Sequence, residues 1–244
     1  DLKMLYQASQ APSGLILMVG PTGSGKTTTL YAILNALNSQ KKNILTIENP
    51  VEYHIKGITQ VSVKPEQGLG FADTIRAALR QDPDVLLIGE IRDEETANIA
   101  VKAALTGHLV LSTLHSSDAV TAIQRLLNLG IAPDLLAETL TVIVSQRLVR
   151  RLCSHQNGNK SNPHTSDKNC LRCRGTGYSG RIPVYEILKV NSLVRDRIQA
   201  GDTGRKLIRP EPELYFHTME QTAQRLTKEG LTDWKEVQPL LLNV

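Results

Sequence analysis

Two periods of apolar residues run through the first half of this chain. Leu15 to Val19 is an unbroken apolar run that meets a glycine-rich turn, after which Thr28, Leu30, Ile33, Leu34 and Leu37 recur at helical spacing. The pattern predicts strand, loop, helix. Asn43 to Ile47 reads as a second strand, Phe71 to Arg80 as a helix, and Val85 to Ile88 as a third strand entered through Asp82-Pro83-Asp84. An alanine-rich helix over Glu94 to Leu105 and a fourth strand over Leu109 to Thr113 follow. Short, wholly apolar strands that alternate with longer helices predict an α/β domain. Its central sheet is mainly parallel and covered on both faces, because parallel neighbours need crossover connections.

Composition changes after Arg151. Residues 154 to 169 are rich in Ser, Asn, His and Lys and offer little to bury, which predicts a loop or a metal-organised knuckle. Arg181 to Val190 reads as a strand, and residues 192–200, 214–229 and 233–241 as short closing helices. Three units are therefore expected: a core over 1–150, a cysteine-containing segment over 151–181, and a C-terminal strand with helices over 182–244. No internal repeat is visible.

Of the 244 residues, 41% are hydrophobic and 21% charged, which excludes a disordered chain. The formal charge of +4 is modest; a nucleic-acid footprint would need it clustered on one face. No apolar run approaches the roughly 20 residues that span a bilayer, and the N-terminus carries no signal-peptide pattern, so a cytoplasmic location is expected. The odd set Cys153, Cys170 and Cys173 argues against a paired disulfide framework and for a reducing compartment, which turns attention to metal binding.

The richest chemistry lies at Gly20-Pro21-Thr22-Gly23-Ser24-Gly25-Lys26-Thr27, which fills every position of the phosphate-loop pattern between a strand and a helix start. Glycines let backbone amides converge on a phosphate, and the helix N-terminus adds partial positive charge. Lys26 is expected to span the β- and γ-phosphates of ATP and Thr27 to place its hydroxyl on Mg²⁺, with Thr28 completing the nucleotide-binding set. The apolar strand Leu86-Leu87-Ile88 ends in Gly89-Glu90, a position from which a sheet can aim a base at an attacking water. Two more segments stand out: Thr46-Ile47-Glu48-Asn49-Pro50-Val51-Glu52, and Thr106-Gly107-His108-Leu109-Val110-Leu111-Ser112-Thr113-Leu114-His115.

In order and spacing these four segments resemble the Walker A, aspartate, Walker B and histidine boxes of the secretion ATPase superfamily. That family drives type II secretion and type IV pilus assembly or retraction. The resemblance covers nearly the whole chain, and a Gly in place of the Walker B Asp is normal within it. It implies a RecA-like P-loop NTPase fold and Mg²⁺-dependent ATP hydrolysis. It also implies a homohexamer docked on a polytopic inner-membrane platform protein, cytoplasmic but peripheral to the membrane. Glu52 and Glu90 would polarise the lytic water, Glu90 would also support Mg²⁺ through water, and His115 would sense the γ-phosphate side; Glu48 would be supportive. Asn49 departs from the family's Glu-Asp-Pro and loses a charge there. Arg76 and Arg80 share one helix face and read by default as solvated charge. The family's clearest trans-acting arginines lie in a domain upstream of the phosphate loop, so the chain is expected to be a C-terminal piece of a longer protein.

Assembly-type members carry two zinc-binding Cys-x-x-Cys pairs after the histidine box. Here Cys170-Leu171-Arg172-Cys173 is intact, followed by Gly175-Thr176-Gly177-Tyr178-Ser179-Gly180-Arg181, whereas the first pair is broken by Gln156 after Cys153. Three thiolates and an imidazole from His155 or His164 can hold tetrahedral zinc; the alternative is a knuckle with three thiols and no metal. Either way the remnant points to the assembly branch. Two other functions stay open on residues alone. One is a regulatory subunit that binds ATP with little turnover. The other is a nucleic-acid translocase, disfavoured because two Phe and one Trp leave few stacking platforms, so no nucleic-acid partner is expected.

Overall fold

Strand β1 (Gly14–Val19) is buried along its whole length, and its side chains divide by parity. Leu15, Leu17 and Val19 join one apolar cluster, while Ile16 and Met18 join another on the opposite face. A strand with no solvated face belongs in the middle of a parallel sheet. The computed structural model describes residues 2–64, 70–154 and 170–241 and places β1 there. Around it lie β2 (Ile44–Glu48), β3 (Thr59–Ser62), β4 (Val85–Ile88), β5 (Leu109–Leu114), β6 (Leu140–Leu152), β7 (Tyr178–Lys189) and β8 (Phe216–His217). They form one eight-stranded sheet in the order β3-β2-β4-β5-β1-β6-β7-β8. All pairs from β3 to β6 are parallel, and β7 and β8 add antiparallel ladders.

One face is covered by α1 (Leu2–Ser9) and α2 (Lys26–Leu37), which contribute Leu5, Leu30, Tyr31, Leu34 and Leu37 to their cluster. Against the other face pack α3 (Phe71–Leu79), α4 (Glu94–Leu105), α5 (Ala119–Asn128), α6 (Pro133–Thr139) and α7 (Ser192–Gln199). The buried side of α4 presents Ala97, Ala100, Val101, Ala103 and Ala104, small residues that let the helix approach the central strands closely. A third cluster joins Val149 and Val184 to α8 (Met219–Lys228) and α9 (Trp234–Leu241), where β6 and β7 run beyond the parallel sheet. There Arg150 donates to Glu236 at 3.0 and 2.6 Å and lies 4.0 Å over the Tyr178 ring, fastening α9 to the hairpin.

The expected α/β fold with a mainly parallel sheet is observed, with shifts at element ends. The second strand runs one residue later than expected, and the strand expected from Arg181 begins at Tyr178. The helix expected over 214–229 is shorter: Phe216 and His217 pair with β7, and the helix starts at Met219. Thr218 caps it, exchanging hydrogen bonds with Gln221 in a capping box. Strands β3 and β6 and helices α1, α5 and α6 carried no reading from the pattern. β3 is a half-exposed edge strand without an apolar run, and β6 interrupts its apolar positions with Gln146, Arg147, Arg150 and Arg151. Among the described residues no helix is long and apolar enough to cross a membrane.

Leu17 is fully buried in the central strand. Leu17→Ala should lower unfolding stability by about 2–5 kcal/mol through lost transfer free energy plus the cavity left behind, read from the urea midpoint.

Candidate active site

The turn after β1 leaves at the C-terminal edge of the parallel strands, the edge where open α/β sheets bind ligands. Gly20 has φ 140°, and a Cβ there would stand 2.5 Å from the Gln146 carbonyl oxygen. Gly25, at φ 85°, caps α2, and its Cβ would stand 2.9 Å from Gln146 Nε2. Both positions therefore require glycine. Gly23, at φ 77°, faces open space, which leaves the loop backbone accessible. Lys26 is buried and its Nζ donates to the carbonyls of Gly20 and Pro21, each at 2.8 Å. Burial, then the charge of Arg147, lowers its pKa, with Glu90 opposing. Thr22, Thr27 and Thr28 line a cleft of ≈ 640 Å³, and the buried Ser24 Oγ beside them has no hydrogen-bond partner among the described residues.

Across the cleft stand the carboxylates. Gly89 sits where β4 crowds β2: its N–H donates to Ile47 O at 2.8 Å, and a Cβ would lie 3.2 Å from that oxygen and 3.3 Å from Glu48 Cα. The smallest residue suits this crossing. Glu90, next in sequence, keeps 14% of its side chain exposed; Arg92 Nη2 lies 2.6 Å away and His115 Nε2 3.7 Å away. His115 follows β5 and is half exposed. The two carboxylates of the Glu48–Glu52 segment take different places. Glu48 is 3% exposed and accepts from Thr46 Oγ1 at 2.6 Å, Tyr31 Oη at 2.5 Å and Gln60 Nε2 at 3.4 Å. Glu52 lines the exposed mouth, and its N–H donates to Tyr31 Oη at 3.3 Å. Burial and then Glu48 push the Tyr31 phenol far above its ordinary range. Asn49 lines the same cleft.

Several residues at the site carried no signal in the sequence. Arg92 pairs with Glu90, and Tyr31 bridges Glu48 to Glu52. From β6, the 3%-exposed Gln146 donates to Ser24 O at 2.8 Å and accepts from Thr29 Oγ1 at 2.8 Å. Arg147 Nη2 donates to Ser117 O at 2.8 Å. Behind it, Glu186 on β7 accepts from the N–H of Ala119, the first residue of α5, at 2.8 Å. Gln146, Arg147 and Glu186 come from strands far from the loop in sequence, so no local motif announces them. Arg76, by contrast, bridges the exposed Asp73 and Glu95 away from the cleft, and His108 Nδ1 lies 3.0 Å from Ala103 O.

A second cluster lies at the β6–β7 end. The Sγ atoms of Cys153, Cys170 and Cys173 all lie within 4.8 Å of one another, those of Cys153 and Cys170 at 3.8 Å. Thiolates bound tetrahedrally at about 2.3 Å from zinc stand roughly 3.8 Å apart, so the three donors fit such a metal. A hydrogen bond from the Cys173 backbone, outweighing burial, lowers the Cys170 thiol to about 7. His155, Gln156 and His164 lie outside the described residues.

Residues 1–239 match the sequence model of the type II/IV secretion system protein family. The chain belongs to that family. It is 45% identical over 240 residues to the type II secretion system protein E of Klebsiella pneumoniae, across 93% of this chain and 48% of that protein. It is 42% identical over 244 residues to the type IV pilus assembly ATPase PilB of Thermus thermophilus, across 93% of this chain and 27% of that one. The chain thus spans half or less of the length of these two relatives. Among solved structures, the pilus retraction motor PilT with bound ADP matches with TM-score 0.74 and 32% identity, covering 97% of this chain and 64% of that one. The ATPase DotB of Legionella pneumophila matches with TM-score 0.76 and 24% identity over 99% and 63%, a likeness of fold. The expected family is thereby confirmed.

Burial raises the Glu186 carboxyl from 4.5 to about 6, opposed by the Ala119 N–H. The native state then holds this proton more tightly than the unfolded chain. The stabilisation is complete below about pH 4.5 and is lost as pH rises through about 6. Glu186→Gln should raise stability near neutral pH by up to about 2 kcal/mol and change little at about pH 4, measured by urea unfolding at both; equal stability near neutrality would refute the penalty.

Proposed function

We propose that this chain is the motor domain of an assembly-type ATPase that hydrolyses ATP to add pilin or pseudopilin to a filament. The observation that carries the reading is the convergence of Lys26, Thr27, Glu52, Glu90 and His115 on one cleft at the edge of a parallel sheet. In this reading residues 1–150 are the nucleotide-binding core, 151–181 the cysteine knuckle, and 182–244 the closing strand and helices. The names of the relatives, type II secretion system protein E and the pilus assembly ATPase PilB, support an assembly role. So does the three-thiol cluster, since the resemblance associates cysteine pairs with assembly motors.

The division of labour follows from burial. The glycine turn from Gly20 to Gly25 cradles phosphate with backbone amides, and Lys26, released from its two carbonyl partners, brings its ammonium to the β- and γ-oxygens. The Thr27 hydroxyl would hold Mg²⁺, with Glu90 reaching it through water, and the ion would supply positive charge against the phosphates. Glu90, held between Arg92 and His115, orients the attacking water, and Glu52 at the mouth assists. Glu48, saturated by Tyr31, Thr46 and Gln60, keeps the second strand's end in register instead of serving as a base. His115 reports the γ-phosphate side to the chain that follows β5. The protein works as a homohexamer on a polytopic platform protein at the cytoplasmic face of the inner membrane, and Cys153, Cys170 and Cys173 would hold zinc with a fourth ligand.

Glu90→Gln should cut steady-state ATP turnover about 100-fold or more in Mg²⁺ buffer while nucleotide binding persists, and added DNA should leave the wild-type rate unchanged. Absent wild-type turnover would favour a regulatory subunit, and turnover driven by DNA a translocase. Metal analysis of protein purified without chelator should find about one zinc per chain, lost in Cys170→Ser; zinc near zero in the wild type removes the metal assignment.

A further inference from the structure

The β6 tripeptide Ser145-Gln146-Arg147 touches two parts of the site that are remote in sequence. Toward the phosphate loop, Gln146 uses both ends of its buried amide, donating to Ser24 O and accepting from Thr29 Oγ1, each at 2.8 Å. Its own carbonyl oxygen lies where a Cβ on Gly20 would come within 2.5 Å. Toward the histidine segment, Ser145 Oγ and Arg147 Nη2 both donate to Ser117 O, at 3.1 and 2.8 Å. Arg147 Nη1 returns to Gln146 O at 3.1 Å, closing the bridge. Ser117 lies two residues beyond His115, and its hydroxyl donates to Asp118, the N-cap of α5. The buried Gln146 amide, with both ends satisfied, holds one geometry firmly, because losing a partner would strand a polar group away from water, and the Arg147 guanidinium, shared between two carbonyls, ties Ser117 to the same strand.

We infer that Gln146 and Arg147 are positioning residues: Gln146 sets the phosphate loop, and Arg147 carries a shift of that loop to Ser117 and so to His115. This rests on the nucleotide reading above. Phosphate entering the loop draws Lys26 away from the Gly20 and Pro21 carbonyls. The turn can then relax only against the Gln146 backbone and side chain, which share their strand with the groups that hold Ser117. Hydrogen bonds run contiguously from Ser24 through Gln146 and Arg147 to Ser117, so both ends respond to one ligand.

The test is amide hydrogen exchange in the whole protein, with Mg²⁺ and a non-hydrolysable ATP analogue as the probe. In wild type, exchange should slow about tenfold at residues 20–29 and also at 115–121. In Arg147→Met the slowing at 20–29 should remain while that at 115–121 disappears, with turnover reduced and KM for ATP little changed; Arg147→Lys, which keeps one donor for Ser117, should restore part of it. Gln146→Ala should instead raise the Kd for the analogue. Slowing confined to 20–29 in wild type, or slowing at both segments in Arg147→Met, overturns the inference while leaving the nucleotide site intact. No slowing at 20–29 in wild type overturns the nucleotide reading and the inference with it. The wild-type arm needs no substitution, so a variant that fails to fold cannot shelter the proposal.

Discussion

The seat of the Gly20–Gly25 turn on strand β6 is the contact on which the rest of the site depends. With the Gln146 carbonyl oxygen 2.5 Å from any Cβ at Gly20, the turn can lie there only as bare backbone. That closeness puts the first turn of α2, with Lys26 and Thr27, over the ends of the parallel strands. It also requires β1 to be gripped from both sides, which the parallel ladders to β5 and β6 provide. A loop that must offer its amides to a ligand has few side chains of its own to hold it, so its shape is borrowed from the strands beneath.

Charge at that edge is handled by graded burial. Glu48 is sunk and saturated by neutral donors, Glu90 is partly covered and matched by Arg92, and Glu52 is left at the mouth. Three carboxylates on one cleft would repel in a dry site if all were buried and unpaired; separating them by depth and partner gives each a different environment. Lys26 bonds for the present to loop carbonyls, so its ammonium is never stranded. Glu186 is the counterexample, a buried carboxyl that accepts from the Ala119 N–H and whose pKa is raised by burial. It sits where the C-terminal hairpin meets the start of α5.

The antiparallel extension serves a different purpose from the parallel core. β6 enters the sheet beside β1 and leaves it paired only with β7, carrying the structure outward to the cysteine cluster and to α8 and α9. The same strand therefore supports the phosphate loop at Gln146 and the thiol group near Cys153. A thiol set at tetrahedral edge spacing at one end and the seat of the Gly20–Gly25 turn near the other share a single strand.

The glycine-rich loop, the alternation of strand and helix, the strand-end Glu90 and the three cysteines were all legible in the residues, because each is a local pattern: glycine for positive φ, apolar runs for strands buried on both faces, thiols crowded into one short segment. The capping box at Thr218 and Gln221 was equally local, yet an overlong helix reading passed over it. The separation of Glu48 from Glu52, the edge strand β3 and the Gln146–Arg147 bridge were decided by tertiary structure. They depend on which strands become neighbours, and Gln146 acquires its partners only when the parallel sheet brings β6 against a loop more than a hundred residues earlier in the chain.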